Sequence, residues 1–132
     1  MPAAKIPLSV VIIAKNAASQ IGACLESVAF AGEVLVVDSG SEDETRAIAD
    51  VMGCRVIEKE WLGFGQQKQF AVTQARHDWV LCLDVDERVT PRLEASIRAS
   101  LLAPKHKAFR MRRRNRFLVL HFGWEEFTGN HR

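Results

Sequence analysis

In the run Val80-Leu81-Cys82-Leu83-Asp84-Val85-Asp86-Glu87, an apolar segment gives way abruptly to carboxylates. Apolar residues bounded in this way read as a buried strand, and acids at its exit read as a site. In an open α/β sheet, ligands bind in the crevice beyond the carboxyl ends of the strands, where Asp84, Asp86 and Glu87 would emerge. Alternate residues of an extended chain face the same way. Asp84 and Asp86 are therefore expected to converge on one hard cation and on any phosphate that the cation holds. An Asp-x-Asp alone is often a pair of solvated turn residues, so the surrounding elements decide its meaning.

Those elements alternate. Ser9 to Ala14 is a short β-branched run, apolar on both faces as a central parallel strand is. Lys15 and Asn16 break it, and Ile21, Cys24, Leu25 and Val28 follow with the spacing of an amphipathic helix. Glu33 to Asp38 is a second strand ending on a carboxylate, followed by the turn formers Ser39-Gly40. Ser41 and Glu44 have the spacing of a capping box, which predicts a helix from there to about Met52 with Gly53 at its end. A short strand, Arg55 to Glu58, precedes Trp61-Leu62-Gly63-Phe64-Gly65, whose glycines suit either a shaped loop near a ligand or simple packing of Trp61. A polar helix from Gln66 to about Arg76 leads into the strand that ends at Asp84. Thr90 as N-cap and Pro91 at the first helical position open a further helix, and Ala108 to Arg112 alternates as a half-exposed strand. Strand and helix in turn predict an α/β fold of three layers, α/β/α, with a mostly parallel central sheet.

The chain of 132 residues, 48% hydrophobic, suits a single domain spanning 1–132. Its apolar stretches fall short of the ~20 residues of a membrane-spanning helix. The first residues lack the apolar core of a secretory signal, so a cytoplasmic location is expected. Cys24, Cys54 and Cys82 are widely spaced among apolar neighbours and read as buried free thiols. The four histidines show no ligand spacing and read as surface residues. Net charge is only +2, yet Lys105, Lys107, Arg110, Arg112, Arg113, Arg114 and Arg116 crowd one segment. Arginine forks match phosphates; a phosphorylated or membrane-anchored partner is expected there rather than nucleic acid, with a solvated flank as the alternative.

Two strands thus end in acids at one sheet edge, Asp38 in the first half and Asp84/Asp86 in the second, which is the layout of a nucleotide crevice. No Gly-x-Gly-x-x-Gly follows the first strand, and no Gly-Lys-Ser/Thr occurs, so backbone N–H groups are not the main phosphate cradle. A divalent ion at Asp86 is the natural substitute, neutralising a diphosphate as it leaves. Ser9 to Asn16, the Asp-x-x-Ser-x-Asp-x-Thr pattern of Asp38, Ser41, Asp43 and Thr45, and the later Asp84-Val85-Asp86 together resemble the inverting glycosyltransferases of family 2, which have the nucleotide-diphospho-sugar-binding GT-A fold. Trp61 to Lys68 and Arg113 to Leu118 further resemble a subgroup that adds a hexose, often glucose, to the bacterial lipopolysaccharide core.

The resemblance implies a UDP-sugar donor, a glycan or lipid-linked acceptor, peripheral contact with the inner membrane, and Mg²⁺ or Mn²⁺ as cofactor. It implies that Asp38 accepts a hydrogen bond from the uracil ring and that Ala14 and Lys15 line the base pocket. Lys68 would lie near the diphosphate, Asp84 near the ribose, and Asp86 on the metal, with Glu87 in support. Ser41, Asp43 and Thr45 are expected to stabilise the start of the next helix rather than touch ligand. Members of the family usually continue for another hundred residues or so, carrying much of the acceptor site and the general base. A fold truncated at the C-terminus is accordingly expected, and Glu125 and Glu126 are the nearest candidates for that base. A nucleotide-sugar-binding remnant without turnover is the alternative, and an uncovered apolar face would allow a homodimer. Sugar nucleotidyltransferases, which share a parallel sheet and carboxylate-bound Mg²⁺, need a glycine-rich basic loop that Ala14 to Gly22 lacks.

Overall fold

The computed structural model describes residues 4–102, together with the backbone of 108–109, 116–117 and 119–120. Strand β1 (Ile6–Ala14) leads through α1 (Ala18–Ser27) to β2 (Ala31–Asp38), then α2 (Thr45–Val51), β3 (Arg55–Glu58), α3 (Phe64–Gln74), β4 (Trp79–Asp84) and α4 (Pro91–Leu102). Three two-residue strands follow, β5 (Ala108–Phe109), β6 (Arg116–Phe117) and β7 (Val119–Leu120). The main sheet has the order β3-β2-β1-β4-β6, and each neighbouring pair is parallel. A separate antiparallel pair joins β5 to β7.

Period-two alternation within β1 divides the core between the two faces of the sheet. Leu8, Val10, Ile12 and Ala14 pack with Ile21, Cys24 and Leu25 of α1, Ala49 of α2, and Leu93 and Ile97 of α4. On the opposite face Val11 joins Leu35, Val37 and Val80 beneath Ala71 and Val72 of α3. Helices cover both faces of the sheet, which is why its central strands β1, β2 and β4 are mostly apolar, and the expected α/β/α architecture is the one observed.

Parallel register brings the strand ends to one edge. Ala14 lies opposite Asp38, Ile13 opposite Asp84, and Asp38 opposite Glu58.

Several local expectations need correction. β1 begins at Ile6, ahead of Pro7, because the register with β2 shifts between Ile6 and Ser9, where a proline without an N–H is tolerated. The capping box at Ser41 and Glu44 does not form. α2 starts at Thr45 with Glu44 as its N-cap and no side-chain cap bond, since the buried Ser41 hydroxyl is engaged elsewhere. The end of α2 is as expected, with Gly53 at φ +87° just beyond the C-cap Met52. α3 starts at Phe64 rather than Gln66, directly after Gly63 at φ +97°. Thr90 does cap α4, its Oγ1 accepting the Leu93 N–H at 3.1 Å. Cys24 is buried, whereas Cys54 and Cys82 are only partly so; all are free thiols. His77 is half-buried rather than superficial, and it packs over Gly32 so closely that a Cβ there would lie 2.9 Å from its Nε2. No helix among the described residues is long and apolar enough to cross a membrane.

Candidate functional site

The turns leaving β1 and β2 are clasped together at the sheet edge by side chains replacing ordinary helix caps. α1 has no side-chain cap of its own at Ala17. Its exposed donors are met from the turn after β2: Asn16 N–H donates to Ser41 Oγ at 2.8 Å, Ala17 N–H to Thr45 Oγ1 at 2.8 Å, and Ala18 N–H to Asp43 Oδ2 at 3.1 Å. Asn16 closes the clasp in the other direction, its Oδ1 accepting the Glu42 N–H at 2.7 Å from a backbone at φ +50°. Ser41, Asp43 and Thr45 thus serve the start of α1, some 25 residues earlier in the chain, and Asp43 also serves the expected helix, its Oδ1 accepting the N–H of Thr45, the first residue of α2, at 3.0 Å. The Thr45 hydroxyl and N–H both donate to Asp43, followed by the Ala18 N–H, and they hold its carboxyl below the usual range.

Asp38 is the keystone of this turn. Its side chain is fully enclosed, and Oδ2 accepts the Gly40 N–H at 3.0 Å and the Ser41 N–H at 2.8 Å, while Oδ1 accepts the Ser41 hydroxyl. Arg46, which pairs with Glu58 at 3.1 Å, stands 3.9 Å from Oδ2. Both oxygens of the carboxylate expected to meet the base are thus engaged inside its own loop. The neighbour of Asp38 at that edge is the half-buried Ser39, whose N–H donates to Ala14 O at 3.1 Å.

Ile13, Ala14, Lys15 and Ser39 line one side of a cavity of about 360 Å³, and Trp61 and Phe64 close the other. Ala14 and Lys15, expected to line a base pocket, are among the residues that line this cavity. Trp61, for which the sequence suits ligand contact or packing, is exposed, as is Phe64, and their rings meet edge to face at 4.9 Å. Ser39 reads in the sequence only as a turn former, because only the pairing of β1 with β2 reveals what faces it.

Lys68, in the second turn of α3, reaches the end of β4, with its Nζ 3.7 Å from Asp84 Oδ1. Both side chains are substantially exposed, so the pair adds little to stability and remains available to a ligand. The expected convergence of Asp84 and Asp86 along one extended strand does not occur. β4 stops at Asp84, and residues 84–87 form a turn in which Glu87 N–H donates to Asp84 O at 2.9 Å. The Glu87 carboxylate folds back to accept the Asp84 N–H at 2.9 Å, so Glu87 shapes the turn that carries both aspartates. Among the described residues no group of three or more His, Cys, Asp or Glu side chains gathers into a metal cage. The exposed carboxylates of Asp84, which pairs with Lys68, and of Asp86, two residues on, are instead oxygen donors of the kind suited to an ion shared with a phosphate, since Mg²⁺ commonly takes one or two carboxylates and completes its shell with phosphate and water. Glu125, Glu126 and the basic side chains between Lys105 and Arg116 lie outside the described residues.

Residues 9–127 match the family model for glycosyl transferase family 2. The chain belongs to that family. Among its relatives, an uncharacterised glycosyltransferase of Rickettsia bellii is 44% identical over 91 residues, covering 68% of this chain and 31% of the relative. The lipopolysaccharide core biosynthesis glycosyltransferase LpsC of Rhizobium meliloti is 37% identical over 94 residues, covering 67% and 35%. Among solved structures, glucosyl-3-phosphoglycerate synthase of Mycobacterium tuberculosis, in complex with Mn²⁺, UDP and glucosyl-3-phosphoglycerate, superposes with a TM-score of 0.62 at 26% identity, covering 72% of this chain and 39% of that one. The chain spans about a third of the length of the curated relatives it matches. This family 2 chain has the GT-A fold, and its clasped turns, aromatic-walled cavity and Lys68–Asp84 pair all stand at the carboxyl edge of the sheet.

Proposed function

We propose that the chain forms the donor half of a metal-dependent, inverting glycosyltransferase that takes a hexose, glucose foremost, from a UDP-sugar. The acceptor is a lipopolysaccharide core or a related glycan. One observation carries this reading: the cavity between Lys15, Ser39 and Trp61 and the Lys68–Asp84 pair lie at the same carboxyl edge of the sheet. The M. tuberculosis synthase that shares the fold was captured with UDP and Mn²⁺, and LpsC supports the lipopolysaccharide acceptor.

In this reading the base lies against Ala14, Lys15 and the aromatic wall, with Ser39 at its edge. Asp38 acts indirectly, by fixing the turn that presents Ser39. Asp84 receives the ribose, and Lys68 brings its charge to the diphosphate. Asp86 would hold Mg²⁺ or Mn²⁺, which when bound supplies charge neutralisation at the leaving diphosphate. The acceptor oxygen, deprotonated by a general base for which Glu125 and Glu126 are the candidates, attacks the anomeric carbon as the bond to the diphosphate breaks, and configuration inverts. The basic segment from Lys105 to Arg116 would face a phosphorylated acceptor at the inner membrane.

Incubation with UDP-glucose, Mn²⁺ and deacylated lipopolysaccharide core, followed by measurement of UDP release and of product mass, tests the reading. A product heavier by one hexose is expected. UDP-sugar binding without turnover would leave the chain a nucleotide-sugar-holding module, and absence of binding would overturn the proposal.

A further inference from the structure

Gln67 is the one amide side chain among the described residues that is completely enclosed. A buried amide is costly unless its donors and acceptor find partners, and this one finds them in the segment that precedes its own helix. Oε1 accepts the Leu62 N–H at 2.9 Å, Nε2 donates to Lys59 O at 3.2 Å, and the Gln67 N–H donates to Gly63 O at 2.8 Å. The two side-chain bonds straddle Trp61. Lys59 is itself pinned from the other side, its N–H donating to Asp38 O at 2.9 Å. Trp61 and Phe64 are 48% and 70% exposed, so little packing of their own holds them against the cavity. What fixes their backbone is the Gln67 amide together with Gly63, whose φ of +97° turns the chain into α3.

We propose that Gln67 is a positioning residue that sets the aromatic wall of the cavity, and through Trp61 sets the affinity for a nucleoside diphosphate. The ligand part rests on the reading of the cavity given above. Lys68, the next residue, points to Asp84, so one turn of α3 ties the aromatic wall to the cation at the diphosphate end.

The test combines amide hydrogen exchange with a double-mutant cycle on the 132-residue chain. Gln67→Met removes both side-chain bonds at similar volume, and Gln67→Glu keeps the acceptor for Leu62 N–H while losing the donor to Lys59 O. In Gln67→Met, exchange at Leu62 is expected to accelerate at least about tenfold while Val11 in the core keeps its protection. UDP affinity should fall roughly tenfold in Gln67→Met, yet by less than about twofold when the same change is made in a Trp61→Ala background. Gln67→Glu should retain slow exchange at Leu62, and it serves as the informative variant if Gln67→Met does not fold. Unchanged exchange at Leu62 in Gln67→Met, fast exchange there in Gln67→Glu, or an equal loss of UDP affinity with and without Trp61 would overturn the proposal. If the unaltered chain binds no UDP, the nucleotide reading fails by itself, and exchange at Leu62 decides whether Gln67 holds the wall.

Discussion

Replacing Asp38 by alanine should destabilise the fold much more than an ordinary site substitution. The enclosed carboxylate is the acceptor for Gly40 N–H, Ser41 N–H and the Ser41 hydroxyl, and Arg46 stands 3.9 Å away. Truncation leaves those donors facing a void. Each buried donor without a partner costs about 1–3 kcal/mol, and partial relaxation of the turn keeps the total near the low end, about 3–5 kcal/mol. That is a large share of the ~5–15 kcal/mol that holds a typical domain together. With a urea slope of about 1.5 kcal/mol/M, the unfolding midpoint should fall by about 2–3 M. Asp38→Asn should cost less, about 1–2 kcal/mol, because the amide oxygen can still accept from the two N–H groups and the Ser41 hydroxyl can turn to accept from the amide nitrogen. Urea titration followed by far-UV circular dichroism measures both. A loss under about 1 kcal/mol for Asp38→Ala, or normal stability with UDP-over-CDP preference abolished, would show that the carboxylate faces the ligand after all.

Lys68→Ala should leave the melting temperature within a degree or two, the pair with Asp84 being exposed, while weakening UDP binding by about tenfold and flattening its salt dependence; calorimetry at two ionic strengths checks this. Burial pushes the Cys24 and Cys82 thiols up to about 12 and Cys54 up to about 11, so iodoacetamide at pH 8 should leave the folded chain unmodified and alkylate all three after urea unfolding. Rapid labelling of folded Cys82, read by intact mass, would contradict that burial. Burial raises the Glu33 carboxyl, but the Arg76 N–H, the Ser9 hydroxyl and Arg55 outweigh it and hold the group below its ordinary 4.5. Its stabilising contribution is therefore complete above that value and is lost as pH falls through the depressed one; Glu33→Gln should flatten the acid limb of a stability profile, and an unchanged limb would count against the network.

Strands β1, β2 and β4 were legible because burial on both faces writes itself into consecutive apolar residues. Helices α1 and α4 were legible because one buried face leaves a 3.6-residue stripe. What escaped depended on partners far along the chain. Ser41 and Glu44 have capping-box spacing, but Ser41 Oγ finds Asn16 and Asp38 in space, and a buried bond there outweighs an exposed cap. Asp84 and Asp86 have the spacing of one strand face, but the Glu87 backbone and carboxylate close a turn that ends the strand between them. Asp38 looked like a ligand contact because it sits at a strand exit. Only the fold shows its oxygens consumed and Ser39 left at the cavity. The buried Gln67 left no pattern, since one amide in the polar run Gln66-Gln67-Lys68-Gln69 reads as surface until Leu62 and Lys59 are seen around it.

The claim that this sheet edge holds a nucleoside diphosphate together with a divalent metal is tested most directly by calorimetric titration of the chain with UDP, with and without Mn²⁺. Saturable binding that tightens with Mn²⁺, and loses that dependence in Asp86→Ala, is the expected result. Equal affinity in the two conditions would contradict the metal assignment, and no binding in either would contradict the nucleotide site itself.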